Sequence, residues 1–147
     1  MAASTLASRA IGRNELELSF GLPITDAVAA ATTETLDLGS IPANAIIREV
    51  ILEKMVSAAH PTATAVAVEI GTASDPDAFV TSTSILSAGP TRTWTPTAAG
   101  PYAPTSAVAL KCKITADANL GNGTATSFTA GFFGVRVIYH LMPLLTA

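Results

Sequence analysis

The feature that most constrains this chain is strict two-residue alternation near its C-terminal end. Val108, Leu110, Cys112 and Ile114 occupy every second position, and Ala109, Lys111, Lys113 and Thr115 fill the gaps. Side chains alternate between the two faces of a β-strand, so this pattern puts one face in a core and one in water. After Asn119, Gly121, Asn122 and Gly123, a hairpin-type loop, Phe133, Val135, Val137, Tyr139 and Leu141 repeat the period. Gly131 and Gly134 mark a bulge or a close backbone approach in that return strand. No segment carries a sustained 3.6-residue apolar repeat, so a helical body is excluded.

The rest of the chain extends the pattern. Glu34 to Leu38 alternates, Gly39, Pro42 and Asn44 make a turn, and Ile46 to Val56 is rich in β-branched residues. Ser57 to Thr64 reads as a loop, Ala65 to Ile70 as a strand and Asp75-Pro76-Asp77 as a turn. Ala78 to Thr81 and Ser84 to Leu86 are short strand candidates. Many short strands with Gly, Pro and Asn between them predict an all-β fold, a single β-sandwich or jelly-roll-like domain. We place that domain at 34–147 and read 1–33 as an extended N-terminal arm. Within the arm, Glu15 to Phe20 alternates like a strand, with Leu16, Leu18 and Phe20 on one side. Asp26 to Ala31 is a candidate helical turn. Residues 88–105 hold four of the nine prolines together with Trp94 and Tyr102, and read as one long loop.

Composition narrows the function. Charged residues are 13% of the chain, about half the usual share of roughly 25%. With 28 alanines and 20 threonines, the chain is unusually rich in small side chains. Such a surface either packs against partners or offers water a neutral hydroxyl face. The net charge of −3 argues against nucleic acid, which requires a basic footprint. No apolar run reaches the length of a membrane span. Met1 to Leu6 lacks a basic stretch followed by an apolar one, so no secretory leader is expected there.

The residue types that carry catalysis are sparse. Cys112 lies on the apolar face of its strand and reads as a small buried hydrophobe. His60 sits before Pro61 in a loop, and His140 is out of phase with Tyr139, so neither is paired with a nucleophile by sequence. Glu69, Asp75 and Asp77 could offer oxygen ligands to Ca2+, but their spacing fits no calcium loop. Asn122-Gly123-Thr124 reads as a turn. We therefore expect no enzyme, no metal and no cofactor. Lys111 and Lys113, with Arg136 on a neighbouring strand, form either a solvated charged face or a docking patch for an acidic surface. Trp94 and Tyr102 either anchor an interface or fold back over the sandwich end. The candidate interface residues are Arg9, Arg13, Leu16, Leu18, Phe20, Trp94, Tyr102, Leu144 and Leu145. The last two belong to an end that is oddly apolar for a free terminus.

Three stretches carry a resemblance. Thr35 to Glu53 runs a short strand through a Gly-Ser-Ile-Pro-Ala turn into a long Ile/Val strand. Val66 to Val80 contains Ile-Gly-Thr-Ala-Ser-Asp-Pro-Asp-Ala-Phe-Val, and Ala130 to Tyr139 closes the pattern. Together they resemble capsid decoration (cement) proteins and related β-sandwich proteins of tailed-bacteriophage virions. The resemblance implies a structural protein on the outer capsid surface, binding the major capsid protein and itself as a homotrimer. Other head-fibre, neck or tail components, and a carbohydrate-binding β-sandwich, are the alternatives.

Overall fold

The computed structural model describes residues 4–10, 15–86, 92–94 and 103–141; for 4–10 and 92–94 only the backbone is described. Among the described residues, nine strands form two sheets. They are β1 (Ser4–Ala10), β2 (Leu16–Pro23), β3 (Thr33–Ile41), β4 (Ala45–Ala59), β5 (Val66–Gly71), β6 (Val80–Ser84), β7 (Arg92–Trp94), β8 (Val108–Ala116) and β9 (Ala130–Leu141). The larger sheet has the order β1-β2-β9-β4-β7 and the smaller β3-β8-β5-β6. Every pairing is antiparallel. This is the all-β sandwich that the alternation predicts.

The core lies between the sheets. Leu18, Phe20 and Leu22 of β2, Val50 and Leu52 of β4, and Phe133, Val135, Val137 and Tyr139 of β9 line one side. Leu36, Leu38 and Ile41 of β3, Leu110, Cys112 and Ile114 of β8, and Val66, Val68 and Ile70 of β5 line the other. Each large apolar side chain buried here contributes about 1.5–3 kcal/mol against exposure.

Two bulges hold the inward phase where simple alternation would lose it. In β4 the register with β9 shifts between Ile47 and Glu49, so Ile47 and Val50 both face inward while Arg48 is left exposed. In β3 it shifts between Asp37 and Gly39, so both Leu38 and Ile41 reach the core. Gly39 has φ 147°, and a Cβ there would lie 2.6 Å from Cε1 of Phe20. Conformation and space both demand glycine.

The structure corrects the reading of residues 1–33 as an arm. Residues 16–23 are an interior strand, paired on one side with β1 and on the other with β9. The chain then crosses to the smaller sheet. A 3-10 turn at Ile24–Asp26 replaces the helical turn expected at 26–31. The Glu34 carboxylate accepts the N–H groups of Val28 and Ala29, each at 2.8 Å, and so fixes the crossing. Elsewhere β4 runs on through Ala59 into the expected loop. One strand, β6, stands where two short ones were read, and β7 lies inside the expected long loop.

Two outcomes follow. Removing residues 1–14 takes away one edge strand and is expected to leave a folded, less stable sandwich. Removing 1–23 also takes Leu18, Phe20 and Leu22, worth together roughly 5–9 kcal/mol, comparable to a whole domain's stability; circular dichroism and denaturant titration should find it unfolded. Gly39→Ala is expected to cost about 1–3 kcal/mol by overpacking, and less in a Phe20→Leu background. Equal costs in the two backgrounds would place the strain elsewhere.

Candidate interaction surfaces

The candidate interface residues divide by position. Leu18 and Phe20 are core residues of this chain, exposed by only 9% and 2%, and Leu16 packs half-buried against them. The expectation that they present an interface is corrected: alternation places them on the inner face because β2 pairs with its own β9. Arg9 lies in β1, opposite Glu17. Trp94 lies in β7, opposite Ile51. Arg13, Tyr102, Leu144 and Leu145 lie outside the described residues.

The outer face of the larger sheet follows from its register. Glu17, Ile138 and Glu49 form one row, and Ser19, Arg136 and Ile51 the next. Glu17 is only 4% exposed although it points away from the core. Its Oε1 accepts the Ser19 hydroxyl at 2.7 Å, and its Oε2 lies 3.7 Å from Arg136 Nη1. Arg136 Nη2 donates to Glu53 Oε1 at 3.2 Å. One guanidinium thus bridges carboxylates from β2 and β4 across β9, which ties three strands together and reduces the cost of burying Glu17. An outward Glu in an alternating strand reads from sequence as solvated, so nothing in the pattern pointed to this cluster.

At the foot of this face Val56 lies opposite Phe132, and Met55 reaches over Gly134. Met55 and Val56 are 56% and 49% exposed. They form an apolar patch that sequence reading did not single out, since a pair of apolar residues within a β-rich stretch shows no sign of which side it faces.

The outer face of the smaller sheet is different in kind. Lys111 pairs with Asp37, and Lys113 Nζ lies 3.0 Å from Glu69 Oε2. Arg136 is on the other sheet, so the three cations do not form one patch. The lysines are satisfied within the chain, and exposed pairs of this kind are worth only about 0–1 kcal/mol. Around them stand Thr33, Thr35, Thr115, Ser82 and Ser84, all exposed. A shallow depression of about 460 Å³ lies over Ala67, Ser84, Lys113 and Thr115. Its lining mixes the hydroxyls of Ser82, Ser84 and Thr115 with small apolar residues and the charged Glu69, Lys113 and Asp117.

The β4–β5 and β8–β9 loops clamp together at one end. His60 Nδ1 accepts the Ala63 N–H at 2.9 Å, and its Nε2 donates to the Asn119 carbonyl at 3.1 Å. This assigns the proton to Nε2. The His60 ring meets Phe128 edge-on, with centroids 4.9 Å apart. Asp117 accepts the Thr64 N–H at 2.9 Å and the Thr64 hydroxyl. The Thr64 hydroxyl, and after it the Ala65 backbone, hold the Asp117 carboxyl below its ordinary pKa. His60 is therefore a structural residue of this clamp. Asp75 shares a hydrogen bond with Asp77, which raises the Asp75 pKa. Glu69, third of that grouping, pairs with Lys113 instead. The Asn122 side chain accepts the N–H groups of Thr124 and Ala125, closing the turn read there. Burial pushes the Cys112 thiol up to about 12, so it stays protonated and unreactive.

The Asp117 contribution depends on pH in a defined direction. Because its folded pKa is lowered, its stabilisation is present above the unfolded value, near pH 4, and is lost as pH falls through the folded one. Asp117→Asn is expected to be less stable than the parent at pH 7, with the gap narrowing below about pH 4. A gap that persists unchanged at low pH in thermal melts would show that charge on Asp117 is not its source.

Comparison with known proteins places this geometry. No protein-family model matches the chain, and no curated protein matches it. Among solved structures, a chain of the cyanophage Pam1 capsid asymmetric unit is similar, with a TM-score of 0.60 and 18% sequence identity, over 95% of this chain and 94% of that one. The two share a fold across nearly their whole lengths.

Proposed function

We propose that this chain is a structural protein of a phage virion. Within that class we read it as a capsid decoration protein that binds the outside of the head lattice, as a homotrimer, and stabilises it. The observation that carries the reading is the full-length likeness to a chain of a phage capsid asymmetric unit. The three sequence stretches that resemble decoration proteins lie on β3–β4, β5 and β9. The surface supports the reading physically. Met55 and Val56, side by side and exposed, suit a contact with a partner. The wide hydroxyl face suits close approach without charge repulsion.

On this reading the protein needs no catalytic group. It binds the assembled lattice better than free capsid subunits, and each bound copy stabilises the lattice by RT ln(1 + [L]/Kd), about 2.7 kcal/mol at a hundredfold excess over Kd. Summed over many sites, such contacts resist internal pressure without covalent bonds. Lys111 and Lys113 are already paired within the chain, so apolar contact and strand pairing dominate attachment.

The test is binding to purified phage heads stripped of accessory proteins. Saturation at a fixed copy number on symmetry-equivalent outer sites is expected, with a rise in head melting temperature. Retention in about 1 M salt, where the screening length is about 3 Å, is expected too. Binding at one unique vertex would assign the protein to the neck or tail. Full release by salt, with the protein still folded, would show that ion pairs hold it.

A further inference from the structure

The smaller sheet has one open edge whose hydrogen-bonding groups can be identified one by one. The Ala116 N–H donates to the Thr32 carbonyl at 2.8 Å. The β3–β8 register continues as Thr33 with Thr115, Glu34 with Ile114, Thr35 with Lys113, Leu36 with Cys112 and Asp37 with Lys111. In an antiparallel ladder hydrogen-bonded and non-bonded pairs alternate. Glu34 and Leu36 therefore bond to β8, and Thr33, Thr35 and Asp37 turn both backbone groups away from it. The β8–β5 ladder agrees: Asp117 donates to Ala65, so Lys113 and Thr115 bond to β5 in the same alternation.

All three residues are exposed, and among the described residues no strand pairs with this side of β3. Proteins usually blunt such an edge with lysine, proline, a bulge or brevity. The other edge of the sheet is blunted: β6 has five residues, and the Thr83 hydroxyl caps the Thr81 carbonyl of its own strand at 2.9 Å. On β3 the bulge comes only after Asp37.

We propose that this edge pairs with the same edge of a second copy, antiparallel about a two-fold axis through Thr35. That register sets Thr35 against Thr35, and Thr33 against Asp37 in both directions. All six free backbone groups are then used. Moving the two-fold axis two residues along, onto Asp37, would oppose Asp37 to Asp37, a like-charge pair that is disfavoured. In the proposed one the Thr33 hydroxyl can donate to the partner's Asp37 carboxylate, which its own Lys111 already partly neutralises. The product is one continuous eight-stranded sheet. This contact goes beyond the proposed function, and it links copies whether or not they also form trimers.

The test uses the isolated full chain, so its failure leaves the virion reading standing. Directly opposed hydrogen-bonded residues have Cα atoms about 5.5 Å apart, within disulfide range. Thr35→Cys is expected to form a covalent dimer under mild oxidation. Thr33→Cys, about 13 Å from its own mate by strand rise, should not. The native Cys112 is buried and does not compete. Thr35→Pro removes an N–H that β8 does not use, so it is expected to keep the far-ultraviolet spectrum and to sediment at a lower mass than the parent, having lost the association made through this edge. Equal cross-linking of the two cysteine variants, or undiminished association of a folded Thr35→Pro, would overturn the proposal. So would hydrogen-exchange protection of the Thr33, Thr35 and Asp37 amides that arises only when phage heads are added, since the edge would then belong to another protein.

Discussion

The fold depends on the pairing of β9 with both β2 and β4. The strand nearest the C-terminus lies at the centre of the larger sheet, with a strand from near the N-terminus on one side and the longest strand on the other. More than a hundred residues separate β2 from β9 in sequence, so loop closure costs entropy before any contact is gained. The return is the row of Leu18, Phe20 and Leu22 beside Phe133, Val135 and Val137. Without that row the inner faces of β3 and β8 would lose their cover. The smaller sheet thus depends on a contact it does not itself make.

The same three strands are joined on the outer face by Arg136. A guanidinium between Glu17 and Glu53 gives the sheet a polar tie where the inner face has an apolar one. The apolar row supplies the free energy. The polar tie makes a one-residue slip costly, because a slip would turn Glu17 into the core and Leu18 out. Register is therefore specified from both faces at β2, the strand whose partner is most distant in sequence.

These particulars explain what could be read from the chain. The alternations at 108–114 and 133–141 were legible because strands with one wet face write their period directly. The Leu16-Leu18-Phe20 period was legible too, but not its destination: local pattern says that a strand has a face to bury and leaves open against what. That is why β2 read as an arm. The bulges at Arg48 and Leu38 were hidden for a related reason. Ile46 to Val56 mixes apolar and charged residues in both phases, with Arg48 and Lys54 in one and Glu49 and Glu53 in the other, so hydropathy alone does not show where one residue is inserted. The buried Glu17 was unreadable because the Arg136 beside it comes from a strand more than a hundred residues away in sequence. For the surface, the hydroxyl-rich, charge-poor composition foretold the character of the smaller sheet's outer face, while the ion pairs of Lys111 and Lys113 required the register of three strands.

The two sheets divide the work of a scaffold between them. The larger sheet carries the buried Glu17 carboxylate, the guanidinium tie and the apolar patch at Met55 and Val56. The smaller one carries paired charges, hydroxyls and an edge with backbone groups unspent. A protein that must hold a fixed place among many copies gains from this division. Side-chain contact on one face sets which partner is met, since apolar shape is specific to its complement. Backbone pairing on an edge adds directional bonds and a fixed spacing of about 4.8 Å between strands. Neither demands net charge, which would repel neighbouring copies at short range. On the proposed function, the scarcity of charge in this chain is a condition of packing many copies closely, and ion pairs such as those of Lys111 and Lys113 neutralise its own surface.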